Sequence, residues 1–237
     1  MRRALVINEK ILGPEHPAVA KVLNNLAQLL HDTKRLAEAE SMNRRSLEIN
    51  ERSFGQDHPA VAGSLACLAH SMQATDRLNE AEPLMRQALA IWEKSLGPDH
   101  PDVAAELNNL ARVLQRTNRL GEAEALMRRA LAIDEKNFGP EHPNVGIRLN
   151  NLAHLLKDTN RLGEAEPLMR RQLEIFLRFT RTAGHQHPLL QGAIKNYEHL
   201  LKAMGRSPAE IRAQLNALRR PYGIQFGQMT LTHAARS

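Results

Sequence analysis

The chain has 237 residues, of which 24% are charged and only 3% aromatic, and it carries a single cysteine, Cys67. One cysteine excludes a disulfide framework and fits a reducing compartment, and no apolar run approaches the roughly 20 residues of a membrane span. The net charge of +6 is uneven, with −2 over residues 1–141 and +8 over residues 142–237; a basic end on a near-neutral body suits an acidic protein partner as well as it suits nucleic acid.

The opening "MRRALVINEKILG" has no apolar core of the signal-peptide kind, so a soluble, cytoplasmic protein is expected. The same opening, extended to "MRRALVINEKILGPE", matches "MRRALAIDEKNFGPE" at 127–141. Residues 1–15 therefore read as the second helix of a preceding, partial repeat. After them His-Pro recurs at His16, His58, His100, His142 and His187, spaced by 42, 42, 42 and 45 residues. A fixed period of this length marks a repeat array. The repeats run 16–57, 58–99, 100–141 and 142–186, followed by a divergent, more polar capping repeat at 187–220. A tail at 221–237 shows no helical period, and the whole is expected to form one solenoid domain.

Each repeat reads as two helices. In the fourth, the first helix starts at Pro143, where a missing N–H costs nothing. Leu149, Leu152, Ala153 and Leu156 then follow the i, i+3, i+4, i+7 spacing of one buried face. The turn "DTNRL" places Asn160 where other repeats have Asn118, Asp76 and Gly205, residues that tolerate a left-handed backbone, with Lys34 the exception. The second helix buries Ala165, Leu168 and Met169. Asn43 stands where Met85, Met127 and Met169 fill the core, which is expected to loosen the first repeat locally. Glu40/Arg44, Glu82/Arg86, Glu124/Arg128 and Glu166/Arg170 lie at i, i+4, acid first, as surface pairs on the outer face. One such unit cannot bury its apolar stripe alone, so the fold expected is an all-α solenoid of antiparallel helix pairs.

Ala39, Ala81, Ala123 and Ala165, with "GPDHPDVA" (97–104), "LNNLA" (107–111) and "RRALAIDEK" (128–136), resemble tetratricopeptide repeats, specifically the 42-residue repeats of kinesin light chains. The resemblance implies a right-handed superhelix and a protein-binding scaffold. Nothing resembles the coiled coil by which light chains join a motor, so a motor role is not expected.

On a helical wheel the core set of the fourth first helix spans about 100°, and Asn150, Asn151, His154 and Lys157 lie on the opposite side. In the family that side lines the concave groove, so the resemblance implies a groove floored by amides. The candidate peptide-binding residues are Asn24, Asn25 and Gln28; Asn108, Asn109, Arg112 and Arg116; Asn150, Asn151, His154 and Lys157; and Lys195, Asn196 and His199. A carboxamide offers two donors and two acceptor lone pairs, enough to hold a peptide main chain without demanding a side chain. One amide of each pair registering the neighbouring repeat is the competing account. The cationic half favours an acidic peptide segment.

The His-Pro histidines sit one per repeat and serve helix entry rather than zinc, and Cys67 has no catalytic base nearby. Phosphate-binding and metalloprotease motifs are absent, so neither enzyme activity, nor a cofactor, nor a metal is expected. Two further roles are an assembly arm of a larger signalling protein and a self-associating array, joined through the apolar Leu5, Val6, Ile7 and Ile11. Nucleic-acid binding would lack aromatic stacking platforms.

Overall fold

A histidine, a proline and a left-handed turn residue set the boundaries of the four regular hairpins. The computed structural model describes residues 2–223, and no strand occurs among the described residues. The elements are α1 (Arg2–Leu12), α2 (Pro17–Asp32), α3 (Leu36–Phe54), α4 (Pro59–Ala74), α5 (Leu78–Leu96), α6 (Pro101–Arg116), α7 (Leu120–Phe138), α8 (Pro143–Asp158), α9 (Leu162–Ala183), α10 (Leu190–Ala203), α11 (Pro208–Arg219) and a 3₁₀ turn (Arg220–Tyr222). The expected tail lies outside the described residues from 224 onward.

The histidine of each of the first four His-Pro pairs is the cap of the helix that follows, whereas α10 starts at Leu190, beyond His187. Nδ1 of His16, His58 and His142 accepts the backbone N–H of Ala18, Ala60 and Asn144 at 3.1 Å, and His100 accepts that of Asp102 at 3.2 Å. An N-cap acceptor satisfies one of the donors that open a helix, and the proline removes another. At the hairpin turn Lys34, Asp76 and Asn118 have φ of 62°, Asn160 has 59° and Gly205 has 78°. The following residue bonds back five positions, as in Arg35 N to Leu30 O and Arg161 N to Leu156 O, both 2.8 Å. This closure holds Lys34 in the left-handed region despite its side chain.

The described chain divides into two compact units, one ending at Ile133 and one starting at Asp134. In the first, α1 packs on α2, α2 on α3, α3 on α4, α4 on α5 and α5 on α6. Its apolar clusters repeat: Val19, Ala20, Leu23 and Ile49; Val61, Ala62, Leu65, Ala88 and Ile91; Val103, Ala104, Leu107, Ala130 and Ile133. Ala39 and Ala81 are fully buried, so the helices of a pair approach closely. On α1, Val6, Ile7, Ile11 and Leu12 remain exposed.

Ion pairs tie successive hairpins of this unit together. Glu40 accepts from Arg44 one turn on and from Arg77 of the next hairpin, and Glu82 accepts likewise from Arg86 and Arg119. Burial pushes the Glu40 and Glu82 carboxyls up, but the bonds from their two arginines bring both below the ordinary range. Arg45 and Arg129 each reach back to an acid, Glu9 and Glu93, and to a proline carbonyl, Pro14 and Pro98.

In the second unit α8 packs on α9, α9 on α10 and α10 on α11. Its 45-residue spacing lengthens α9 to 22 residues, against 19 in α3, α5 and α7, nearly one extra turn. The expected Glu166/Arg170 pair is not made. Arg170 turns to Glu174 at 3.2 Å, because Glu166 is taken by the buried Tyr197 hydroxyl at 2.5 Å and by Gln214 at 3.2 Å. That knot joins α9, α10 and α11. Helix α11 opens with a capping box between Ser207 and Glu210.

Phe176 is fully buried, and a Cβ built on Gly146 of α8 would meet its ring at 2.8 Å. Alanine in a helix interior normally stabilises relative to glycine. Here Gly146→Ala is expected to lower stability by about 1–3 kcal/mol through overpacking, read as a lower urea midpoint; an unchanged or higher midpoint contradicts the close fit.

Candidate functional site

The first helices of the repeats carry the polar residues that stacking leaves over, and each unit gathers them differently. In the first unit a recess of about 230 Å³ opens between α2 and α4. Helix α2 contributes Asn24, Gln28 and His31, α4 contributes Cys67 and His70, and α6 contributes Asn109. Beneath them lies Asn43 of α3, 2% exposed. Asn25, Gln28, Asn109 and Arg112 are exposed, Asn24 is half-buried and Asn108 is buried. Arg116 is turned to Asp76 at 2.5 Å and to Gln73 O at 3.4 Å.

Asn43 does not merely loosen its repeat. Its Nδ2 donates to Cys67 O at 3.0 Å and to Ser71 Oγ at 2.8 Å, bridging to the next hairpin. Ser71 in turn meets His31 Nε2 at 2.8 Å. A second web lies deeper. Ser46 donates to Ala20 O at 3.1 Å, which leaves Ser64 to donate to Ser46 at 3.0 Å. Ser64 Oγ then accepts from Asn50 Nδ2 at 2.9 Å and from Asn24 Nδ2 at 3.4 Å. Thus Asn24, expected to face a ligand, uses its amino group to register the neighbouring repeat and keeps its oxygen.

Burial shifts several groups in this unit towards their neutral forms. Burial, with His70 beside it, lowers the His31 imidazole against the pull of Asp32. Burial and then Glu106 raise the Cys67 thiol, consistent with an inert cysteine. Glu106 of α6 is 2% exposed, and among the described residues its Oε1 has no hydrogen-bond partner. Burial pushes its carboxyl up to about 7, against one bond from Asn109 at 3.4 Å.

In the second unit the amides form a relay. Asn196 of α10 donates to Asn150 Oδ1 at 3.0 Å, and Asn150 donates to Asn151 Oδ1 at 3.4 Å. Two of the three first-position asparagines, Asn24 and Asn150, therefore bridge repeats. His154 and Lys157 are half-buried, and Lys195, His199 and Lys202 are exposed. Burial and then Lys157 lower His154 against Asp158, so its ring adds little charge near neutrality. Among the described residues Lys157, Lys195 and Lys202 have no ion-pair partner, and no three His, Cys, Asp or Glu side chains gather as a metal would need. No described helix is long and apolar enough to cross a membrane.

Sequence reasoning missed Asn43, Ser64 and Ser71. The signal available was that all three depart from apolar or charged counterparts at one interface.

The family model described as tetratricopeptide repeat matches residues 19–60, 60–136 and 105–178. No curated protein matches the sequence. Among solved structures, BtubC (BKLC) from P. vanneervenii aligns with a TM-score of 0.76 and 22% identity, over 94% of this chain and 89% of that one. A Podosopora anserina protein of nearly identical TPR-like repeats, named after kinesin light chains, aligns at 0.72 and 24%, over 89% and 99%. PilF of Pseudomonas aeruginosa aligns at 0.59 and 18%, over 87% and 77%. At these identities the likeness carries the fold.

Glu106 yields a pH test. A carboxyl raised to about 7 by the fold contributes its full stability below the ordinary carboxylate range and loses it as pH rises through about 7. Glu106→Gln is expected to stabilise the protein at pH 8 by up to about 3 kcal/mol and to change little at pH 4. Urea unfolding at both values checks this, and an equal effect at both contradicts it.

Proposed function

The chain belongs to the tetratricopeptide repeat family, and on that premise we propose that it is a non-catalytic interaction scaffold that binds an extended, partly acidic peptide along the first helices of its repeats. Repeats of this kind form protein-binding scaffolds. The observation that carries the finer reading is a division of labour between helices. Acids and arginines of the second helices close into pairs, as Glu40 does with Arg44 and Glu82 with Arg86, whereas Asn25, Gln28 and Asn109 on first helices stand exposed.

An extended strand presents N–H and C=O groups on alternating sides, and a row of carboxamides meets both. Each such bond adds only about 0.5–1.5 kcal/mol net. Micromolar binding takes about 8 kcal/mol, so no single repeat suffices and several must act together. Lys195 and Lys202 in the second unit, exposed and without ion-pair partners among the described residues, favour carboxylates on the peptide. A main chain held by amides and a charge read by lysines make a binder tolerant of sequence but sensitive to net charge. The reducing cytoplasm is the setting this reading assumes.

Fluorescence polarisation with an extended peptide of alternating Asp and Ser tests the proposal. Binding is expected to weaken with added salt, and Lys195→Ala with Lys202→Ala to weaken it about fivefold, near 1 kcal/mol. If the peptide did not bind, or if neither that variant nor Asn25→Ala with Asn109→Ala changed its affinity, the reading would fail.

A further inference from the structure

Helix α1 is tied to the first unit along one side. Leu5 packs against the cluster of α2 and α3, and Glu9 is held by Arg45 of α3. Ala4, Ile7 and Ile11 form another side, at the i, i+3, i+7 spacing of one stripe, and all three are exposed. The repeat register tells what such a stripe is built to meet. Ile7 is 48% exposed, whereas its counterparts Ile49, Ile91 and Ile133 are 1%, 5% and 3% exposed. Each counterpart shares a cluster with a Val-Ala-x-x-Leu run on the first helix of its own hairpin, such as Val19, Ala20 and Leu23 for Ile49. Helix α1 is also more apolar than a solvated helix of this chain needs. Ile11 stands where the later second helices have Ser53, Ser95 and Asn137, and Val6 where they have Glu48, Ala90 and Ala132, all exposed slots. Lys10 adds a charge to the same seat. Its counterparts Arg52 and Lys94 pair, at 2.7 and 2.6 Å, with Glu15 and Asp57, the acids two residues before the prolines that open their hairpins.

We propose that this face of α1 seats an amphipathic helix of a partner protein, one that carries the pattern acid-x-Pro-x-Val-Ala-x-x-Leu. Its valine, alanine and leucine cover Ala4 and Ile7 as the first helices cover the same slots elsewhere, and its acid meets Lys10. Removing the stripe from water drives the docking. The ion pair, exposed and weak by itself, sets the direction in which the guest helix lies. A second copy of this chain is a poor occupant. Pairing α1 with α1 would set Arg3 and Lys10 against the same cations, while Glu9 is already engaged by Arg45. The inference goes beyond the peptide reading, since it uses neither the amides of the first helices nor the lysines of the second unit.

The test adds a fluorescein-labelled peptide of residues 99–116, which carries the pattern as Asp99, Pro101, Val103, Ala104 and Leu107, to the full chain and follows its fluorescence anisotropy. Saturable binding is expected. Ile7→Asp in the protein, at an exposed site, is expected to weaken it about tenfold, as is Val103→Asp with Leu107→Asp in the peptide. Lys10→Glu is expected to weaken binding about threefold at low salt, and Asp99→Lys in the peptide to restore it with that variant while weakening it with the parent chain. No saturable binding, binding unchanged by Ile7→Asp, or no rescue by the paired charge swap would each overturn the proposal. Sedimentation of the chain alone as a dimer that Ile7→Asp dissolves would give the face to a second copy and overturn it too. The Asp/Ser peptide is expected to bind Ile7→Asp as tightly as the parent chain, so this surface and the first-helix face fail separately.

Discussion

A hairpin of two helices with one apolar stripe cannot hide that stripe from water by itself. Everything else in this molecule follows from covering it with the next hairpin. Val61, Ala62 and Leu65 of α4 are buried with Ala88 and Ile91 of α5, and the same five slots recur as Val103, Ala104, Leu107, Ala130 and Ile133. Covering the stripe fixes which residues are left outside. On the second helices the remainder is acid and arginine, closed into pairs such as Glu40 with Arg44 and Arg77. On the first helices it is amide, with lysine in the second unit. A binding face in such a protein is whatever stacking does not consume.

The interface between the first two hairpins departs from this apolar rule. Where the second and third repeats place methionine and alanine, it has Asn43 and Ser46 on α3, and α4 meets them with Ser64 and Ser71, all buried. Such a seam is stable only if its protons are consistently assigned, and they are, from Ser64 through Ser46 to Ala20 O. The buried amide oxygens of Asn24 and Asn43 stand outside that assignment.

Much of the fold was legible in the sequence because a repeat states its rules several times. The His-Pro pairs marked helix starts, and the turn slot tolerated Lys34 because the hairpin closure, rather than the residue, dictates the left-handed backbone. The ties of Arg77 to Glu40 and Arg119 to Glu82 were not legible, since they join residues 37 apart that meet only once the stack exists. Glu166 was misassigned to Arg170 because the competing Tyr197 and Gln214 arrive from later helices. For the candidate site, the wheel identified the amide-bearing side and left open that one amide of each pair registers the neighbouring repeat, as Asn24 and Asn150 do; it did not show which, nor that Asn43 would line a recess. A helical wheel has no term for a neighbour.

The central claim, that the first helices are the working face, is tested most directly by mapping a bound acidic peptide onto the protein through its side-chain NMR signals. The account requires the –NH₂ resonances of Asn25, Gln28 and Asn109 and the ammonium signal of Lys195 to move on binding, with the guanidinium signals of Arg44, Arg86 and Arg128 still. Movement of those arginines with the amides undisturbed would contradict it and place recognition on the second helices instead.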